Sequence, residues 1–428
     1  MKILITGINF SPELTGIGKY TGEMARWLAA RGDEVRVVTA PPYYPGWRVG
    51  EGYSTRRYSQ EPATRLSVLR CPLYVPPRPT GLRRVLHLAS FALTSAPVLL
   101  FQALVWRPDV VLVVAPPIAA APVACLAARL GGAAAWLHVQ DFEVDAAFSL
   151  GMLRSRWLQA VLRRLERRLL GRFDRVSTIS GRMQERLLAK GVAPARVLLL
   201  PNWTDFSRIQ PQTGENALRK RLGIAAGAPV LLYSGTLGAK QGLEMLLAVV
   251  AALSDVPGLV LLLCGEGPAL APLQRAAADL HNVRFLPLQP ADALNDLMGA
   301  ADIHVLPQRA DAEDLVMPSK LTTMMASGRA VVVNASPGSE VARVVEGVGR
   351  VVPPGDVDAF AAAISELVAD ATLRARLGAA ARVRAQALWD AEQVLGRAFG
   401  ADSLEQLGVA IVRPVAAAGR TVADPVSP

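Results

Sequence analysis

Short runs of Val, Ile and Leu alternate along the chain with longer stretches in which apolar residues recur every three or four positions. The first pattern predicts buried strands and the second amphipathic helices; their alternation predicts parallel sheets with crossover helices. In the first half, strands are expected near 2–7, 35–39, 66–70, 110–115, 134–139, 175–179 and 197–200, with helices near 18–31, 82–105, 118–130, 155–171 and 181–190. The pattern restarts at Val230-Leu231-Leu232-Tyr233-Ser234-Gly235, with further strands near 259–264, 283–286, 302–306, 330–333 and 350–352. Helices fall between them near 242–253, 269–279, 291–299, 319–327, 338–345 and 356–369. The expected architecture is α/β: two parallel-sheet domains, 1–204 and 230–370, facing across a cleft and joined by a polar, Gly- and Pro-rich linker, 205–229. A helical stretch, 371–400, is placed to cross back onto the first domain, and 401–428 is a tail of low information.

Composition narrows the class. Of 428 residues, 51% are apolar and 19% charged, which excludes a disordered or fibrous chain. The net charge of +10 is uneven: residues 1–210 hold 28 Lys/Arg against 14 Asp/Glu, and residues 211–428 hold 18 against 22. The basic half should face something anionic: nucleic acid, a membrane surface or phosphorylated substrates. Cys71, Cys125 and Cys264 lie far apart, with neither disulfide nor zinc spacing, so a reducing compartment is expected. The opening Met1-Lys2-Ile3-Leu4-Ile5-Thr6-Gly7 reads as a buried strand and turn rather than a signal peptide.

Two segments bear on a membrane. Residues 85–105 carry no formal charge over 21 positions, enough to span a bilayer, yet include His87, Ser90, Thr94, Ser95, Pro97 and Gln102. The expectation is a buried helix of an α/β layer, with a helix dipping into one leaflet as the alternative. Further on, Arg154, Arg156, Arg163, Arg164, Arg167, Arg168 and Arg172 flank an apolar series from Trp157 to Leu170. A basic amphipathic helix of this kind favours an anionic bilayer, and seven more Arg lie between Arg56 and Arg84. Arg163, Arg164, Arg167 and Arg168 are the expected membrane contacts. Without interleaved aromatics or a recognised motif, no nucleic-acid partner is expected.

Candidate chemistry gathers at strand ends. The first strand opens into Gly16-Ile17-Gly18, which suits close approach of an anion, but the G-x-G-x-x-G spacing is not met. Thr39-Ala40-Pro41-Pro42 stands where a ribose-binding acid would end the second strand, which argues against an NAD enzyme. In the second domain, 234–242 places Gly235 and Lys240 between a strand and a helix, fit for a diphosphate. Gly265-Glu266-Gly267-Pro268 ends the next strand, and Pro318-Ser319-Lys320-Leu321 opens a helix with Ser319 as a plausible cap. After the strand near 133–139 stand His138, Asp141, Glu143 and Asp145, four ionisable groups in eight residues. A group there would project into the cleft as a base or charge stabiliser. The spacing fits no metal-binding pattern, so no metal is expected.

In this order the motifs resemble a family 4, GT-B-type glycosyltransferase over nearly the whole chain. The stretch from Ser11 to Met24 is similar to the colanic-acid-type enzymes of that family. So are Ala40-Pro41-Pro42-Tyr43-Tyr44-Pro45, residues 138–148, Leu200-Pro201-Asn202-Trp203, Lys240-Gln241-Gly242-Leu243-Glu244 and Pro318-Ser319-Lys320-Leu321-Thr322. The resemblance implies two Rossmann-like domains and retaining transfer from a nucleotide diphosphate sugar, without a DxD-bound metal or other cofactor. It implies GDP-fucose or a similar donor and a polyprenyl-diphosphate-linked oligosaccharide acceptor, in exopolysaccharide biosynthesis on the cytoplasmic face of the plasma membrane. By position, Gly16 and Gly18 would face the donor diphosphate, Gly235 and Lys240 would bind it, and 318–321 would cradle the distal phosphate with backbone N–H groups. Gly265 and Glu266 join the donor side; Asp141, then His138 and Glu143, are the catalytic candidates. The chain departs from the family where two Glu seven residues apart hold the ribose: Leu315 and Thr323 stand there, with Glu313 and Asp314 nearby. It departs again where relatives carry His-Asp, having Gln140-Asp141 with His138 two residues earlier. The rivals are a soluble relative with another acceptor or nucleotide-sugar 2-epimerase activity, and a membrane- or nucleic-acid-binding α/β protein without activity.

Overall fold

The computed structural model describes residues 1–78, 80–145, 155–238, 241–309 and 317–409. The first sheet comprises β1 (Lys2–Thr6), β2 (Glu34–Thr39), β3 (Ser59–Ala63), β4 (Leu66–Arg70), β5 (Val110–Ala115), β6 (Ala134–Val139), β7 (Arg175–Thr178) and β8 (Val197–Leu199). Their order across the sheet is β3-β4-β2-β1-β5-β6-β7-β8. The second sheet comprises β9 (Val230–Ser234), β10 (Val260–Cys264), β11 (Val283–Leu286), β12 (Ile303–Leu306), β13 (Ala330–Asn334) and β14 (Arg350–Val352), in the order β11-β10-β9-β12-β13-β14. Every pairing is parallel except β3 with β4. Strands such as β5 and β13 are buried along their whole length, because helices cover both faces of a parallel sheet. In each sheet the strand order reverses once, between β1 and β5 and between β9 and β12. Ligands of open α/β sheets bind beyond the carboxyl ends of strands at such a reversal.

The strand that the hydrophobic pattern did not predict is β3. Its sequence, Ser-Gln-Glu-Pro-Ala, has no apolar alternation and is largely exposed at the sheet edge, where Pro62 is tolerated.

The helix over 81–106 differs from the expected buried layer. Residues Gly81–Phe101 are α-helical and Gln102–Trp106 add a π-turn. Only a stripe of His87, Phe91, Ser95 and Leu99 is buried in the α-helical part, while Leu82, Val85, Leu86, Leu93, Phe101, Leu104 and Val105 face outward. Among the described residues it is the one helix long and apolar enough to cross a membrane.

At the far end, Ala371–Trp389 buries Leu377, Ala381, Ala385 and Trp389 in the second core. Asp390 then breaks the helix and caps the next, Ala391–Ala398, whose Val394 and Leu395 pack with Phe399 into the first core. Thr204 lies beside this crossing, its N–H donating to Trp389 O (2.8 Å) and its carbonyl accepting from Ala391 N (3.1 Å). The two chain passages between the domains therefore run side by side.

Candidate active site

The carboxyl ends of both sheets face one cleft of about 430 Å³, lined by Gly16, Lys19, Tyr20, Tyr44, Gln140 and Asp141 from one side and by Gly235, Thr236, Gln308 and 318–320 from the other. Two tyrosines bridge it: Tyr20 OH donates to Ser319 O (3.3 Å), and Tyr44 OH lies 3.4 Å from Thr236 Oγ1.

On the first side, the loop after β1 enters the helix Gly16–Ala30. Gly16, at φ +63°, lines the cleft. Gly18 was expected to face the diphosphate and does not line the cleft: a Cβ there would fall 2.4 Å from Glu13 Oε2, so this glycine makes room for the Glu13 side chain. Glu13 is buried and accepts from Tyr43 N and Tyr44 N (3.1 Å each) and from Asn9 Nδ2 (3.0 Å). Burial pushes its carboxyl up to about 7. Arg70, also buried, donates to Ser11 O (2.7 Å) and Ala40 O (3.0 Å) and pairs with Glu61. It belongs to the scaffold, not to a basic outer surface.

The three catalytic candidates separate. Asp141 lines the cleft. His138 sits inside β6 and is buried, with Nδ1 2.9 Å from Ser177 Oγ, and burial pushes its pKa down to about 3. It is therefore a neutral scaffold residue off the cleft wall. Glu143 accepts from Ile118 N (2.5 Å), tying the loop after β6 to the one after β5, and does not line the cleft. Its carboxyl is raised mainly by burial, and Asp141 adds to the shift.

On the second side, Ser319–Ala326 begins at the cleft with Pro318, not Ser319, in the capping position and no side chain capping it. The Lys320 side chain runs under Gly235, donates to Tyr233 OH and lies 4.2 Å from the centre of that ring. Burial alone pushes its ammonium down to about 7, and no carboxylate among the described residues pairs with it. Leu321 is buried behind it. Thr323 of the departed Glu pair lines the cleft; Glu313, Asp314 and Leu315 lie outside the described residues, as does Lys240. Gly265 and Glu266 are not on the cleft wall: they line a second cavity beside it. Gly265 is required by close packing, since a Cβ would fall 1.9 Å from Gly235 O.

Sequence reasoning missed a set of neutral groups. Thr15 Oγ1, Asn202 Oδ1, Gln241 Oε1 and Gln308 Oε1 are buried without a hydrogen-bond partner among the described residues, and all four residues line the cleft. Amide and hydroxyl groups left unpaired inside a site are costly unless a ligand completes them. No spacing marks Gln308 beforehand. Among the described residues, no cluster of three or more His, Cys, Asp and Glu side chains forms a metal site.

Outside the cleft, Arg163, Arg164, Arg167 and Arg168 are all exposed on the helix Arg156–Leu170, with Trp157 and Leu165 exposed among them. Arg154 lies outside the described residues.

Two facing parallel-sheet domains with a polar cleft between their strand ends define a GT-B architecture. The chain matches a glycosyl transferase 4-like domain over residues 15–203 and a glycosyl transferases group 1 domain over 228–370. It is 43% identical over 405 residues to the putative colanic acid biosynthesis glycosyl transferase WcaI of Escherichia coli K12, covering 92% of this chain and 98% of that protein. It belongs to the GT-B glycosyltransferases of the family 4 type. A GDP-mannose-dependent monoacylated alpha-(1-6)-phosphatidylinositol monomannoside mannosyltransferase of Corynebacterium glutamicum is 34% identical over 203 residues, 45% of this chain and 52% of that protein. Among solved structures, Anabaena Alr3699/HepE in complex with UDP-glucose shares the fold at TM-score 0.69 and 18% identity, covering 95% of this chain and 99% of that one.

Proposed function

We propose that this glycosyltransferase moves a neutral sugar, with retention, from a nucleotide diphosphate sugar to a lipid-diphosphate-linked oligosaccharide in exopolysaccharide assembly. The observation that carries the donor reading is Lys320: a partly buried ammonium with no acidic partner among the described residues, at an uncapped helix start, in a cleft between two sheets. A diphosphate supplies the missing charge, and the helix start adds backbone donors. The side-chain oxygens of Thr15, Asn202, Gln241 and Gln308, unpaired among the described residues, suit a hydroxyl-bearing sugar beside it. In the reaction, the anomeric carbon's bond to the β-phosphate oxygen breaks and a bond to the acceptor hydroxyl oxygen forms; the hydroxyl proton passes to the departing diphosphate. Asp141 stabilises the positive charge that develops on the sugar.

Similarity to a colanic acid enzyme and to a GDP-mannose-dependent enzyme supports a GDP-linked donor, with GDP-fucose the first to try. The membrane part rests on the outward-facing apolar residues of 81–106 and on the exposed Arg and Trp157 of the helix Arg156–Leu170, which together suit the cytoplasmic face of the plasma membrane. The test is a screen of GDP- and UDP-sugars against undecaprenyl-diphosphate-linked oligosaccharides in anionic vesicles, read by product formation and thermal shift. The expected result is turnover with one GDP-sugar. Stabilisation by no nucleotide sugar contradicts the donor reading, and turnover only on free sugars contradicts the lipid-linked acceptor.

A further inference from the structure

Beside the cleft lies a second space of about 710 Å³ between the two domains, walled by Pro45, Trp47 and Pro77 on one side and by Glu266, Gln274 and Phe285 on the other. Its aromatic wall is held with unusual firmness. Trp47 adopts φ +52°, a left-handed conformation that bulky residues avoid and that persists only where surroundings impose it. Its ring packs on Tyr43 at 5.3 Å and on His87 at 5.0 Å. His87 is itself buried and anchored through Nδ1 to Tyr74 O at 2.6 Å. The result is a half-buried indole fixed at a cavity wall.

We propose that this cavity is a saccharide subsite, in which a sugar unit of the acceptor stacks on the Trp47 indole while Glu266 and Gln274 take its hydroxyls. The inference rests on the reading of the acceptor as an oligosaccharide and goes beyond it by locating where a unit away from the reacting one is held. Three observations select this occupant. A mostly apolar wall with a few polar groups at its rim is the make-up of a small-molecule site, and a pyranose presents both a C–H face and hydroxyls. Among the described residues the lining contains a carboxylate and no Lys or Arg, which suits a neutral ligand better than a nucleotide's phosphates. Finally, the cavity continues the cleft: Tyr44 lines one and Pro45 the other, while Gly235 of the cleft packs directly on Gly265 of the cavity. An acceptor chain whose end reacts at Asp141 can run on past Tyr44 to Trp47.

The experiment uses the full chain, with neutral gluco- and galacto-oligosaccharides of one to four units as probes, followed by saturation-transfer NMR. GDP and UDP binding is measured by calorimetry on the same samples. Oligosaccharides of two or more units are expected to bind. Trp47→Ala should weaken them roughly tenfold, Trp47→Phe should retain most of the affinity, and Glu266→Gln should weaken them severalfold, with nucleotide affinity unchanged throughout. The subsite is overturned if the probes bind all variants alike, if they fail to bind a wild type that binds nucleotide, or if saturating GDP or UDP displaces them. A wild type that binds no nucleotide overturns the donor reading, through a readout separate from the saccharide signal.

Discussion

The two sheets end in the same strand reversal, yet the loops beyond them are built by opposite means. On the first, buried ionisable side chains tie the rim to itself: Arg70 holds the loops after β1 and β2 through Ser11 O and Ala40 O, and Glu13 gathers the amides of Tyr43 and Tyr44. On the second, backbone packs directly on backbone at Gly235 and Gly265, and the charge beneath it, Lys320, has no carboxylate to answer it among the described residues. Around Arg70 and Glu13 the polar groups of the first rim satisfy one another, which holds these loops as a wall. A rim that leaves an ammonium waiting is incomplete until an anion arrives, so binding energy concentrates there. On the proposed function, the difference suits the first side to positioning and the second to donor capture.

The largest effect should come from Asp141, among the described residues the one carboxylate on the first side of the cleft. Asp141→Asn is expected to lower turnover by about 10²–10⁴-fold with nucleotide-sugar affinity unchanged, as measured by kcat alongside calorimetry. Normal turnover would remove Asp141 from the reaction. Next, changing Arg163, Arg164, Arg167 and Arg168 together to Gln should cost about 1 kcal/mol per residue in binding to anionic vesicles, seen by sedimentation at low salt. Persistence of salt-sensitive binding would move the contact to the apolar helix over 81–106.

A smaller effect concerns how the wall is held. Because the folded carboxyl of Glu13 is raised from 4.5 to about 7, its protonated form contributes stability that is complete below about pH 4.5 and lost as pH rises through about 7. Glu13→Gln should flatten that window by about 3 kcal/mol in denaturant melts. An unchanged pH profile would mean that Glu13 is already ionised in the folded protein.

Most of the architecture was legible because parallel strands are near-continuous apolar runs separated by helical periods, as in β5 and β9. The edge strand β3 was not, since edge pairing demands no apolar pattern. The helix over 81–106 misled for the converse reason: its composition reports hydrophobicity and not what covers it. In the site, Gly16, Gly235 and Asp141 could be picked out from strand-end position and Lys320 from a helix start. The role of Gly18 could not, because Gly18 answers to the Glu13 side chain, a contact made across a loop. The displacement of Gly265 and Glu266 to a second cavity, and the four unpartnered neutral groups, depend on how two domains face each other, which no local pattern encodes.

The central claim, that donor phosphate completes Lys320, is tested most directly by calorimetric titration of the preferred nucleotide sugar at pH 6.5 and 8.5. With the free ammonium at about 7, binding must draw a proton at the higher pH. Wild-type affinity should therefore fall by up to about tenfold per pH unit above 7, with proton uptake visible as a buffer-dependent heat. Lys320→Met should bind weakly at both values, without that dependence. Equal affinity at the two pH values, together with wild-type binding by Lys320→Met, would contradict the account.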